Sequence, residues 1–393
     1  MELLVIFMFF TGYLGIIPFL AFRLAILELV CIIALVKLKD NVILSGPLKC
    51  FVVFLVWIFF EIFITPKPIF GFRMLLKYLY PFLFALLTSA VVKDKEVFLK
   101  SMFSARWMAL ISLICLLIPA LFYGILGGLF WTVAALCTNY ITIAMFSLGL
   151  IYVIGPSLKN VVWTVLFIST GIIFVLRTDI FGMGAALAVF FFIKYRIKSI
   201  PLILIVGCLG LAAMFYIPAV KSKMYYRPEE VTITDFLTGN VDENNINTSG
   251  RKKGWEDMQR MFFEPHKLTG SGTGRVQTYF YTEAIGWQRG GQLHNDFLVL
   301  LCDNGIIGLS LFVFAYLAIM FHCLIIHKRT DNKWIKLCSL TAGSALIGVM
   351  ITMYSDNTIS YSMCTLGYPW GLYGMALGMY RREQQELNNN GSN

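Results

Sequence analysis

Twelve apolar runs constrain this chain more than anything else in it. They lie near 3–15, 17–36, 46–65, 72–92, 107–123, 129–154, 161–177, 180–193, 200–219, 295–321, 337–354 and 366–380. In hydrocarbon the backbone must satisfy its own hydrogen bonds, and for runs of this length the helix does so within each segment. The shortest runs, in the first pair and around Arg177, fall below the ~20 residues of a full crossing. With 58% hydrophobic and 14% charged residues and a mean hydropathy of +0.76, a soluble globular domain is excluded. The expected fold is an all-α polytopic membrane protein of about twelve transmembrane helices with one large external loop.

Charge sets the expected orientation. Connectors at 37–49, 93–106, 155–160, 194–199, 322–336 and 381–382 together hold seventeen Lys or Arg. The short connectors on the other side hold Lys67 and Arg73, with none at 124–128 or 355–365. The positive-inside rule makes the first set cytoplasmic, along with both termini. The expected organisation is an N-terminal helix bundle over 1–219, an external loop or cap over 220–293, C-terminal helices over 294–380, and a disordered tail over 381–393. The loop carries ten basic and nine acidic residues and holds Trp255 and Trp287. Its 228–249 segment is polar and expected to be mobile. The N-terminus has neither a basic n-region nor a small-residue cleavage site, so no cleavable signal is expected.

Polar chemistry is concentrated between Arg251 and Gly308. Arg251, Trp255, Met258 and Phe262 recur at i, i+4, i+7 and i+11, one stripe of an amphipathic helix. Ser249 is its expected N-cap, and Pro265 and Gly270 its stop. Lys252 and Lys253 fall off the stripe. A second helix is expected to begin near His294 and to carry Leu298, Leu301, Gly305 and Gly308 on the histidine's side. Asn295 or Asp296 is placed to satisfy the free amides of its first turn.

Each candidate has a structural and a functional reading. Arg177, between apolar runs in LRTD, either pairs with Asp179 or forms an anion site, since its planar fork suits phosphate oxygens. Arg251 either snorkels or stands as a cation over the membrane mouth. His294 is either structural or a neutral ring able to accept a proton or orient a hydroxyl. Arg73 and Lys77, one turn apart, either hold a second phosphate or anchor in headgroups. Asn139, Glu61, Asp303 and Asp356 point to a wet cavity or to helix-packing hydrogen bonds. The GSGTG run at Gly270–Gly274 lacks the strand and helix of a dinucleotide fingerprint and reads as a tight turn with close backbone approach. The nine cysteines avoid 220–293 and the four histidines do not cluster, so neither a disulfide framework nor a metal site is expected.

In combination these features resemble the bacterial O-antigen polymerase and O-antigen ligase superfamily of integral membrane glycosyltransferases. The carriers are LRTD at Arg177, SGRKKGW at Arg251, the G-x-G-x-G turn, HNDFLVLLCDNGIIG from His294 to Gly308, and the closing SDNTISY and PWGLYGMALG. The family usually has Ser or Thr before the first arginine; this chain has Leu176. The resemblance implies a GT-C-like helical fold in the bacterial inner membrane, with its active site on the periplasmic side. It implies an undecaprenyl-diphosphate-linked glycan donor, no cofactor, no metal and no nucleic acid, with a chain-length regulator as a protein partner. Carried over, Arg177 and Arg251 bind the donor diphosphate and His294 orients or deprotonates the acceptor hydroxyl. Expected around them as substrate-binding residues are Arg73, Lys77, Asn139 and Arg275, with Arg289, Asn295, Tyr354 and Asp356. The aromatic-rich spans, the GIIG motif and the SDNTISY ending favour a polymerase. A ligase acting on lipid A–core is the alternative, and a flippase for lipid-linked sugars a more remote one.

Overall fold

The computed structural model of the chain describes residues 1–15, 20–125, 128–242, 245–247, 251–285 and 291–391. Among them regular structure is helical, apart from isolated bridges pairing Leu14 with Phe130 and Tyr225 with Ile246. The first half runs α1 (Glu2–Thr11), α2 (Leu20–Lys37), α3 (Gly46–Glu61), α4 (Pro68–Val91), α5 (Lys95–Leu117) and α6 (Val133–Gly149). It continues with α7 (Leu158–Ile168), α8 (Thr170–Ile173), α9 (Arg177–Tyr195), α10 (Ile200–Tyr216) and α11 (Pro218–Met224). Three short helices, α12 (Ile233–Thr238), α13 (Arg251–Met258) and α14 (Arg275–Thr278), lie in the long polar stretch. The chain closes with α15 (Asp296–Arg329), α16 (Lys333–Thr352), α17 (Ser362–Thr365) and α18 (Gly367–Gly391).

The chain is a polytopic all-α membrane protein. Among the described residues, six helical stretches are long and apolar enough to cross a bilayer: Pro68–Val91, Lys95–Leu117, Val133–Ile154, Arg177–Ile205, Asp296–Arg329 and Lys333–Thr352. The other six expected spans form helices that are shorter or more polar, such as the ten-residue Glu2–Thr11. Two boundaries differ from expectation for local reasons. The connector 93–106 is largely helix, because the Asp94 carboxylate caps α5 by accepting the amides of Glu96 and Val97. The tail, expected to be disordered, continues α18 to Gly391. There Arg382 and Glu386 pair at i,i+4 over 2.9 Å, and the Thr330 hydroxyl donates to Glu383.

The core is aromatic. Phe51 meets Trp370 edge-on at 4.6 Å, Phe54 meets Tyr78 at 5.2 Å, and Phe312 lies 4.3 Å from Tyr316, geometries that suit ring quadrupoles. Two features of this packing position the site. Helices α9 and α16 cross where Gly182 faces Gly348; a Cβ on Gly182 would stand 2.8 Å from the Gly348 carbonyl. That close approach sets Arg177, at the start of α9, against the segment that follows α16. The second feature is a break in α15 at Gly305, held at φ 65 and ψ −170.

The GSGTG turn fills that break. Ile306 and Ile307, freed from their helical acceptors, donate to the carbonyls of Lys267 and Leu268. Ser271 and Gly272 donate to the carbonyls of Cys302 and Asp303. The buried Asp303 carboxylate accepts the amides of Gly274 at 2.8 Å and Val276 at 2.9 Å. Asp303, read as pointing to a wet cavity or to helix-packing hydrogen bonds, is thus a clamp on the turn. The smooth stripe expected from His294 through Gly305 to Gly308 is interrupted for the same reason.

Side chains of the polar stretch pack into two hydrophobic clusters. Phe215, Tyr225 and Val231 make a small cluster of their own, whereas Met258, Phe262 and Val276 join the main core. The 228–249 segment, expected to be mobile, contains a capping box between Thr232 and Asp235 at the start of α12. It also holds an Asn245 side chain that bonds the Arg227 amide and carbonyl.

Candidate functional site

The site gathers on Ser355, Asp356 and Asn357, which begin three residues past the end of α16. Arg251 reaches them from the start of α13 and donates from Nη1 to the Ser355 carbonyl at 2.5 Å. Burial pushes its pKa down from the ordinary arginine value, and the Asp356 carboxylate pushes it back up. The expected stripe holds in part: Met258 and Phe262 are buried, and α13 gives way at Gln259 to a wider π turn. Trp255, also on the stripe, donates to the Leu293 carbonyl at 2.7 Å and meets Tyr354 edge-on at 5.9 Å. Ser249, the expected N-cap, lies outside the described residues.

Arg177 approaches from α9. Its Nη1 donates to the Asn247 carbonyl at 2.6 Å, and its charge interacts with that of Arg251. It does not pair with Asp179, which turns into the core (3% exposed) and accepts from the Thr138 hydroxyl at 2.6 Å. Thr178 shares a 2.7 Å hydroxyl contact with Ser355, fixing the arginine's turn of helix to the same segment. Two guanidiniums are therefore held by backbone carbonyls at one polar edge of the bundle, and the planar fork of each matches the oxygens of an anion.

His294 stands before α15 rather than on it, at φ +51, a left-handed conformation uncommon outside glycine and a mark of functional segments. Its amide donates to Asn357 Oδ1 at 3.0 Å. Asn295 caps the helix by accepting the Leu298 amide. The histidine ring is partly exposed, with Nδ1 3.0 Å from Asn357 Nδ2 and 3.5 Å from Asp356 Oδ1. Because a backbone N–H can only donate, the first contact fixes which end of the Asn357 amide is oxygen. Nδ2 must then donate to Gln292 Oε1 at 2.6 Å and to the ring. Nδ1 accepts, and the neutral ring carries its proton on Nε2.

Behind Gln292 and Asn357 opens a cavity of about 570 Å³, lined also by Arg73, Lys77, Trp131, Gln277, Phe280, Tyr361 and Asp296. Lys77 contacts the Ser360 hydroxyl at 3.4 Å, and Arg73 lies over the Phe70 ring. Asp296 is buried, accepting from the Thr358 hydroxyl and the Ile359 amide. The amides Gln292 and Asn357 therefore form a wall between the arginine–histidine cluster and this second cationic pair.

Of the residues expected in the site, Arg177, Arg251, His294 and Asp356 come together, with Tyr354 packed beside them and Arg73 and Lys77 across the wall. Three others are engaged differently. Arg275 makes a bidentate pair with Glu283 at 2.7 and 2.9 Å and covers the Phe262 ring. Asn139 is fully buried in α6 and does not line the cavity. Asn295 is committed to its cap. Glu61, a cavity candidate, is buried at the end of α3, where its carbonyl accepts the Thr273 amide. Arg289 lies outside the described residues. Sequence reasoning gave no role to Thr178, Gln292, Ser355 or Asn357. The signal was the polar SDN run between two apolar spans, of which only Asp356 was given a role.

Residues 162–313 match the family model described as O-Antigen ligase. The matched span holds Arg177, Arg251, the glycine turn and His294, and leaves out Arg73, Lys77 and the Ser355–Asn357 segment. No curated protein matches the chain.

Proposed function

From the match of residues 162–313 to the O-Antigen ligase family model, we propose that the chain is a member of the O-antigen polymerase and ligase superfamily, a membrane glycosyltransferase using a glycan carried on undecaprenyl diphosphate. The observation that carries this reading is the convergence of Arg177, Arg251 and the His294–Asp356 pair on the segment after α16. Transfer from a lipid diphosphate demands two things: neutralisation of the leaving diphosphate, and a group that positions the incoming hydroxyl and takes its proton. The arginines supply the first, doing with fixed cations what a metal does elsewhere. His294, oriented by Asp356, supplies the second. The acceptor oxygen forms its bond to the anomeric carbon as the carbon–oxygen bond to the diphosphate breaks, which inverts that carbon.

Polymerisation is the first reading. Its acceptor is another lipid-linked repeat unit carrying its own diphosphate, and the Arg73–Lys77 pair across the wall suits such a second anion. Ligation to lipid A–core is the second reading, favoured by the description of the matching family model. The test uses the purified full chain in lipid with one defined undecaprenyl-diphosphate repeat unit, alone and with lipid A–core. A ladder from the repeat unit alone, reduced roughly 10²–10⁴-fold in His294→Ala, is the expected result. Product only with lipid A–core makes it a ligase. Movement of lipid across the bilayer with no transfer would replace the enzyme reading with a flippase.

A further inference from the structure

We propose that Gln292 and Asn357 are positioning residues that tie occupation of the acceptor cavity to the proton position on His294. The inference rests on the transfer reading above and deepens it. Asn357 Nδ2 donates to Nδ1 of the ring at 3.0 Å. The proton therefore sits on Nε2, and that nitrogen has no lone pair for a hydroxyl. In this state His294 cannot act as a base through Nε2. Asp356 Oδ1 waits 3.5 Å from the same Nδ1, beyond good hydrogen-bond range, for a ring that carries its proton there.

The two tautomers thus answer to two neighbours. Asn357 selects the Nε2–H form and Asp356 the Nδ1–H form. What holds Asn357 in place is Gln292, through the 2.6 Å contact, and both amides face the cavity. Gln292 is exposed, so the hydroxyls of an acceptor sugar entering the cavity compete for its oxygen and for the Asn357 amide. Once Asn357 Nδ2 turns to the sugar, the ring exchanges its proton through water, donates Nδ1–H to Asp356, and opens Nε2. The acceptor hydroxyl then gives its proton to Nε2 as its oxygen bonds the anomeric carbon, and the electron pair of the broken bond leaves with the diphosphate. Without an acceptor, water in the same place finds no base. The wall protects the donor from hydrolysis.

The test is a gain of a reaction the wild type suppresses. Full-length protein in lipid vesicles is given the undecaprenyl-diphosphate glycan without acceptor, and released reducing sugar is followed. Asn357→Asp keeps an oxygen for the His294 amide but cannot donate to Nδ1, and Gln292→Ala removes the anchor at an exposed position. Both are expected to raise acceptor-independent hydrolysis about 10-fold or more, a modest share of what a general base supplies. Transfer to a repeat-unit acceptor is expected to fall in kcat with the KM for donor unchanged. Hydrolysis at the wild-type rate in both variants overturns the proposal. A second arm needs no turnover: ¹⁵N-imidazole spectra, with His294 assigned through its alanine variant among four histidines. Nε2–H in the wild type and Nδ1–H in Asn357→Asp are expected, and Nδ1–H in the wild type overturns the coupling whatever the activity. Expected spectra with neither transfer nor hydrolysis in any protein would sink the transfer reading, and the coupling with it.

Discussion

At the scale of single residues, the arginines and the histidine differ in how they are held, and their substitutions should separate. Arg251 uses one nitrogen on the Ser355 carbonyl and presents the rest of its fork. Lysine keeps the charge but not the fork. Arg251→Ala should lower transfer by about 10²–10³-fold, as for loss of one donor to a developing anion, and Arg251→Lys should recover part of that. Single-turnover rates with saturating donor check it; wild-type rates in the alanine variant would remove Arg251 from the site. The spacing in SGRKKGWEDMQRMFF placed Arg251 and Trp255 on the right side of their helix because periodicity reports which face is buried. It could not report that Trp255 would hold Leu293, the neighbour of His294, from 38 positions away.

At the scale of elements, the decisive object is the union of the glycine turn with the break in α15. Neither is stable alone: the broken helix leaves two amides without helical acceptors, and the turn has three glycines at positive φ. Each satisfies the other. A Cβ on Gly305 would collide with the Leu268 carbonyl, and its φ already disfavours an L side chain by about 1–2 kcal/mol. Gly305→Ala should therefore unfold in detergent at a lower temperature and lose activity with no chemical group removed. Asp303→Asn keeps the shape but places an amide donor among backbone donors, and should cost about 1–3 kcal/mol. Wild-type melting temperatures in both variants would show that the clamp carries no stability. The turn was legible in the sequence from its glycines. Its partner was not, because HNDFLVLLCDNGIIG reads as one continuous apolar helix, and only the docked turn makes a break at Gly305 affordable in hydrocarbon.

At the scale of the whole molecule, two of the basic connectors meet. Lys194 and Arg196 share one cleft with Lys328, Lys333 and Lys336, although some 130 residues separate the two groups in the chain. If the positive-inside rule sets the orientation, a single cysteine placed at Asp331 should resist an impermeant thiol reagent in intact cells, while one at Thr234 should react. The opposite pattern would invert the topology. The cation-based mechanism also predicts that transfer survives a chelator; loss restored by a divalent ion would overturn it.

The sequence by itself determined the membrane class and the helical character of the chain, and it nominated residues for a diphosphate and a hydroxyl. These follow from hydropathy, charge and side-chain chemistry, which each segment carries independently of its neighbours. The tertiary structure alone decided which of those residues meet. It sent Asp179, Asp303 and Arg275 to structural duties, because buried polar groups go to the nearest donors and partners that packing supplies, whereas the cap at Asn295 was legible from its place before the helix. It brought Ser355, Asp356 and Asn357 under His294 and Arg251, a meeting fixed by the crossing of α9 with α16 and by the docking of the turn into α15. Contacts between positions tens to hundreds of residues apart have no period and no spacing to read.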